Sequence, residues 1–101
     1  PQAFWLQRGD AYLPLSLPVM TSEGPSTAYI AWNTAWDGAT QTLTSFFKGR
    51  GLGDCGTYYE WRLRDDFDAY SFVLIASKVK DNCDGIYKDD LSDYRQIWPL
   101  P

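Results

Sequence analysis

The residues most able to do chemistry cluster mid-chain, in Gly49-Arg50-Gly51-Leu52-Gly53-Asp54-Cys55-Gly56, where a guanidinium, a carboxylate and a thiol stand among four glycines. Gly51 to Gly56 has the G-x-G-x-x-G spacing, which in dinucleotide sites lets backbone amides reach a pyrophosphate at the start of a helix. The next residues, Thr57-Tyr58-Tyr59-Glu60-Trp61, alternate like a strand. The helix that this chemistry requires is missing, and the dinucleotide reading is rejected. The lysine and hydroxyl residue of a P-loop are absent too. Two readings remain. In one, the loop is an anion nest whose amides and Arg50 face a carboxylate or phosphate. In the other, which we favour, the glycines allow a bulged crossing between strands and Arg50 pairs with Asp54.

Metal and catalytic chemistry are poorly supplied. Asn82, Asp84 and Gly85 mimic the third, fifth and sixth positions of an EF-hand loop, but Lys80 and Leu91 stand where its first and last ligands belong, so calcium fails. There is no histidine and only two cysteines, too few for zinc, and the commonest general base is missing. No metal or cofactor is expected. Aspartates and Glu60 supply the residue types of a two-carboxylate glycan hydrolase. Most of them fall in turns, such as Asp65-Asp66-Phe67-Asp68, or on a solvent face, which ranks an enzyme third. Aromatic binding is better supplied, with Trp 5, Tyr 7 and Phe 5 making 17% of the chain. Tyr58 projects from a polar face beside Arg62 and Arg64, and Tyr12 and Tyr29 stand opposite core neighbours. Such rings anchor partners or pack across strands. Arg50, Asp54, Tyr58 and Arg62 are the candidate binding residues.

The elements that must position these residues read as strands. Ala3 to Leu17 predicts a hairpin turning at Arg8-Gly9-Asp10, with Pro14 confining its second arm to an edge. The Arg-Gly-Asp tripeptide is also an adhesion motif, but ordinary turn chemistry explains it. Pro18 to Ser26 reads as a polar connector. Thr27 to Trp36 predicts a strand with Ile30, Trp32 and Trp36 on one face, turning at Asp37-Gly38 into Thr42 to Lys48, where Leu43, Ser45 and Phe47 share a face. After the glycine link, Thr57, Tyr59, Trp61 and Leu63 alternate with Tyr58, Glu60, Arg62 and Arg64, the first set core and the second solvent. Ala69 to Lys80, apolar on both faces, predicts a central strand with Lys78 and Lys80 as gatekeepers against aggregation. In the tail, Tyr87, Leu91, Tyr94 and Trp98 fit one face of a short helix; an irregular tail pinned by Trp98 is the alternative.

With 101 residues the chain reads as one domain. Its formal charge of −4 lacks the basic footprint of a nucleic-acid binder. No apolar run approaches the roughly 18 residues that a membrane span needs. It begins at Pro1 rather than methionine, so it reads as a processed or excised piece. Two cysteines in a small aromatic-rich chain fit an exported protein with a Cys55–Cys83 disulfide better than a cytosolic one, two buried thiols being the alternative.

The run Thr42 to Gly56, with Trp61, Phe72, the Cys83 loop and the ending Trp98-Pro99, resembles the C-terminal part of an exported bacterial family known only as domain of unknown function 1176. Its members resemble one another in a Gly-Asp-Cys-Gly motif, a Trp-centred hairpin, a later cysteine and a closing Trp-Pro. The likeness covers roughly residues 27–99. It implies an envelope or secreted location, a disulfide between the positions of Cys55 and Cys83, and no known activity. Typical members are several times longer and richer in cysteine.

The sequence thus predicts an all-β fold of antiparallel hairpins in a small sandwich or curled sheet, with a short C-terminal helix as an option. The function it favours is a non-enzymatic periplasmic or secreted module that binds a protein or a glycan, one version being an inhibitor of a cell-wall hydrolase. The alternative is a purely structural domain of a longer envelope protein.

Overall fold

The computed structural model describes residues 1–21, 23–49, 54–66, 69–88 and 91–99. Eleven strands succeed one another along the chain: β1 (Gln2–Ala3), β2 (Trp5–Arg8), β3 (Ala11–Pro14), β4 (Leu17–Thr21), β5 (Gly24–Ala28), β6 (Ile30–Ala31), β7 (Ala35–Asp37), β8 (Thr42–Lys48), β9 (Gly56–Asp66), β10 (Ala69–Lys80) and β11 (Arg95–Trp98). Five make an antiparallel sheet in the order β11-β10-β9-β8-β7, and the rest form two-stranded ribbons β1–β6, β2–β3 and β4–β5. The fold is all-β, as the alternating sequence predicts.

The strongest alternation makes the centre. β9 and β10 pair along their whole lengths, from Ala69 opposite Asp66 to Lys80 opposite Gly56. β10 has β9 on one side and β11 on the other, the central place its two apolar faces require. Because cross-strand partners share a face, Leu43, Trp61 and Leu74 form one row across three strands. The β4–β5 ribbon packs on that row. Leu17, Ala31, Leu43, Trp61 and Phe72 form the buried cluster, with Val19 and Ala28 against it. Trp61 is 1% exposed, and its indole N–H donates to the Pro18 carbonyl at 2.7 Å, so its one polar atom is satisfied inside the core.

Three expectations are corrected. Pro18 to Ser26 is not a connector but most of the β4–β5 hairpin; its prolines are tolerated because a two-stranded ribbon leaves one side of each strand unpaired. Thr27 to Trp36 is not one strand. It breaks into the end of β5, β6 and β7, with Asn33 at φ 47° ending the extended run, and Ala31 rather than Ile30 entering the core. The tail helix does not form, and no helix occurs among the described residues. Leu91 and Tyr94 are buried, but Leu91 sits at φ 55°, which a helix cannot accommodate, and Arg95–Trp98 adds to the open edge of β10. That edge offers the tail backbone partners that a one-turn helix would lack.

Shortening the central indole tests this arrangement. Trp61→Ala is expected to cost about 3–5 kcal/mol, and Trp61→Phe less, in urea unfolding followed by circular dichroism. A loss under about 1 kcal/mol for Trp61→Ala would mean that the ribbon does not depend on this ring.

Candidate functional site

The chemistry-bearing residues divide among three places. The first is the mouth of the β9–β10 hairpin. Cys55 and Cys83 form a disulfide just beyond the last pair of that ladder. Asp54 is fully buried, and its Oδ2 accepts the Gly85 N–H at 2.7 Å. Lys80 Nζ donates to Asp84 Oδ1 (2.8 Å), Asp93 Oδ2 (2.7 Å) and the Ile86 carbonyl (3.1 Å). The aromatic side of this loop lies on β8, where Phe46 stacks on Tyr87 and meets Tyr94 edge-on. Lys80 therefore organises a loop. Asp54 is a buried support for that loop; Arg50 and the pairing expected for it lie outside the described residues.

The link's glycines have a steric purpose where they are described. A Cβ on Gly56, at φ 149°, would run into the Phe47 carbonyl, and one on Gly49 would lie 2.7 Å from the Cys55 sulfur. Asp54, Cys55 and Cys83 bring ligand-type atoms within 4.8 Å of one another, but two of those atoms are disulfide sulfurs and not the thiolates that bind metals.

Charge fixes when the loop is held. The Lys80 ammonium and the Ile86 amide hold the Asp84 carboxyl below the usual aspartate range, and the hydrogen bonds that Lys80 donates to Asp84 and Asp93 raise Lys80. A lowered carboxylate stabilises the folded loop above its unfolded pKa and ceases to do so as the pH falls through its folded one. A raised lysine contributes below its unfolded pKa and loses that contribution as the pH climbs through the folded one. The protection factor of the Ile86 amide, which donates to Asp84 Oδ1 at 3.0 Å, is therefore expected to stay flat between about pH 5 and 9 and to drop below the ordinary aspartate value of about 3.9. Lys80→Met is expected to weaken it throughout. Unchanged exchange in that variant would assign the loop's order to the disulfide alone.

The second place is the outer face of β9, which carries Tyr58, Glu60 and Arg62. Tyr58 is half-buried and donates its hydroxyl to Glu60 Oε1 at 3.1 Å. Burial first, then the neighbouring Glu60 charge and its hydrogen bond, push this phenol up to about 12. Arg62 is exposed and, with Glu60, lines a groove of about 360 Å³ whose other walls are Ala35, Trp36, Asp37, Thr40, Thr42 and Thr44. Register explains the assembly: Thr42 pairs with Arg62, Thr44 with Glu60, and Asp37 with Thr42. Of the candidate residues, Arg62 thus lies in a groove, and Tyr58 is next along the strand face, held by Glu60. Sequence reading missed Trp36 and the threonine row. Trp36 does pair with Leu43, as its core-face placement requires, yet it is 50% exposed because β7 is the outermost strand. The Asp37-Gly38 turn directly after it was the available signal. Ultraviolet titration is expected to show Tyr58 ionising well after an ordinary tyrosine, and Glu60→Gln to lower it part of the way, the share due to burial remaining; an unshifted titration in that variant would exclude the Glu60 contact.

The third place is the core face beyond the β4–β5 ribbon. Ser45, Tyr59 and Ser77 form one row across β8, β9 and β10. Tyr59 stacks on Trp61 with ring centroids 5.2 Å apart, and burial raises its phenol. A cleft opens on either side of it. One, about 220 Å³, is lined by Ser45, Trp32, Phe47 and Ile30; the other, about 370 Å³, by Ser77, Val79, Ile97, Met20 and Arg95.

These features define a small disulfide-bonded all-β protein with a polar outer groove and an incompletely covered core face. Over residues 1–101 the chain matches the family described as "Protein of unknown function (DUF1176)", and it belongs to that family. It is 31% identical over 87 residues to the uncharacterized protein YpfG of Escherichia coli (strain K12). That alignment covers 85% of this chain and 22% of YpfG, so the chain spans about a fifth of this relative's length. No solved structure matches it.

Proposed function

We propose that this chain is a non-enzymatic binding module, corresponding to the C-terminal part of a longer periplasmic or secreted bacterial protein, and that it holds a carbohydrate in the Arg62 groove. The observation that carries the reading is the make-up of that groove: three threonines, Asp37, Glu60 and Arg62 in one concavity with a half-exposed tryptophan. Hydroxyls, carboxylates and a guanidinium supply the donors and acceptors that a sugar's hydroxyls need, and Trp36 borders the groove from the edge strand. The volume falls at the lower end of small-ligand sites. The location is supported by the disulfide, which persists in oxidising compartments. Among the described residues no helix is long and apolar enough to cross a membrane.

The groove also contains two carboxylates, Asp37 and Glu60, the residue types of a glycan hydrolase. One experiment separates the possibilities. Chitin- and cellulose-derived oligosaccharides and an acidic oligosaccharide are titrated into the 15N-labelled protein, and the products are analysed for new reducing ends. Expected are saturable shifts at Thr42, Thr44 and Arg62, weakened at least about tenfold in Arg62→Ala, with no cleavage. Shifts absent for all three classes would favour the structural domain, and new reducing ends would make the protein a hydrolase.

A further inference from the structure

The two serines flanking Tyr59 occupy equivalent places in the sheet but differ in what they hold. Ser45 opposes Tyr59 from β8 and Ser77 opposes it from β10, so both side chains lie on the core face, one on each side of the same ring. Ser45 is fully used. Its hydroxyl donates to the Trp32 carbonyl at 2.9 Å and accepts the Trp32 N–H at 3.2 Å. One hydroxyl thereby satisfies both backbone groups of one residue in a neighbouring segment, and the side chains of that segment, Ile30 and Trp32, line the cleft beside it.

Ser77 is 1% exposed, and its Oγ has no hydrogen-bond partner among the described residues. A hydroxyl taken from water and left unpaired is destabilising, which makes it an unusual choice for the middle of a strand whose neighbouring core positions are apolar. The register adds a second, independent feature. Between Ser77 and Lys78 the β10–β11 ladder shifts: Ser77 faces Trp98, Lys78 faces Gln96, and Ile97 is the extra residue of a β-bulge. Bulges re-aim side chains and accompany functional sites. Here Ile97 joins Val79, Met20 and Tyr59 in walling the cleft that Ser77 lines, and the Arg95 and Asp81 side chains stand at it.

We propose that the Ser77 cleft binds an extended peptide segment of a protein partner, with Ser77 Oγ holding one residue's C=O and N–H as Ser45 holds those of Trp32. An apolar side chain of that residue or its neighbour fills the space between Tyr59, Val79 and Ile97. The precedent selects the ligand chemistry: the matching hydroxyl, on the same face and against the same ring, already takes a peptide. This site is separate from the carbohydrate groove, because Arg62 alternates to the outer face of β9 while Tyr59 points to the inner one.

The probe is the tetrapeptide acetyl-Ile-Ala-Trp-Asn-amide, a copy of residues 30–33, titrated at millimolar concentration into the 15N-labelled protein, with N-acetylglucosamine as the rival source of an amide. The peptide is expected to give saturable shifts centred on Ser77, Val79, Ile97 and Tyr59. Ser77→Ala is expected to weaken it about tenfold without lowering the free protein's Tm, since that variant removes an unpaired buried hydroxyl. Arg62→Ala is expected to leave it unchanged, so this result and the carbohydrate result fail independently. Absence of shifts at Ser77 and Ile97 with the peptide would overturn the proposal. So would equal affinity in Ser77→Ala, or the same shifts produced by N-acetylglucosamine and not by the peptide.

Discussion

Strands β9 and β10 run 11 and 12 residues, about twice the usual strand length, and a ribbon that long frays at its open end unless something holds it. The Cys55–Cys83 bond holds it there. One end is joined by the chain itself, where Asp66 pairs with Ala69, and the other by the disulfide just outside the Gly56–Lys80 pair, so the two longest strands are bound into a ring. In the chain-entropy account, closing a separation of 28 residues contributes about 3–4 kcal/mol. That is a large share of the stability of a chain this small, which buries only about 60–68% of its unfolded surface.

The remaining structure is built on the two faces of that ring. Outside, Lys80 gathers Asp84, Asp93 and the Ile86 carbonyl at the disulfide end, Asp54 anchors Gly85, and Tyr87 and Tyr94 lie against Phe46. Charged and backbone hydrogen bonds replace the helix that this segment does not make. Inside, Trp61 fixes the β4–β5 ribbon through both packing and its bond to Pro18. The ribbon stops short of the row Ser45, Tyr59, Ser77. Small residues on either side of a large ring leave two concavities, and the fold supplies its own backbone to only one of the two hydroxyls.

Where they are described, the glycines of the link serve close packing. Gly49 and Gly56 bring β8 and the disulfide together at distances no side chain would permit. The polar groove lies at the opposite edge, where the outermost strand β7 leaves Trp36 half-exposed beside Arg62.

By itself the sequence determined the all-β class, the central β9–β10 pair, the core role of Trp61 and the cysteine partnership. Each of these comes from local alternation or from there being one possible partner. It also pointed to the family to which the chain belongs. Tertiary structure decided the rest. The stretch Pro18 to Ser26 is polar and proline-rich, and only the apolar row beneath it makes it a hairpin. The tail spacing suits a helix, yet the unpaired edge of β10 draws Arg95–Trp98 into a strand. Lys80, read as a gatekeeper, becomes the centre of a loop because residues 4 and 13 positions away converge on it. The groove around Arg62 and the row through Ser77 are assembled across strands by register. Register depends on long-range pairing, and the period-two pattern of a single strand reports which face a residue takes but not which neighbours it meets there.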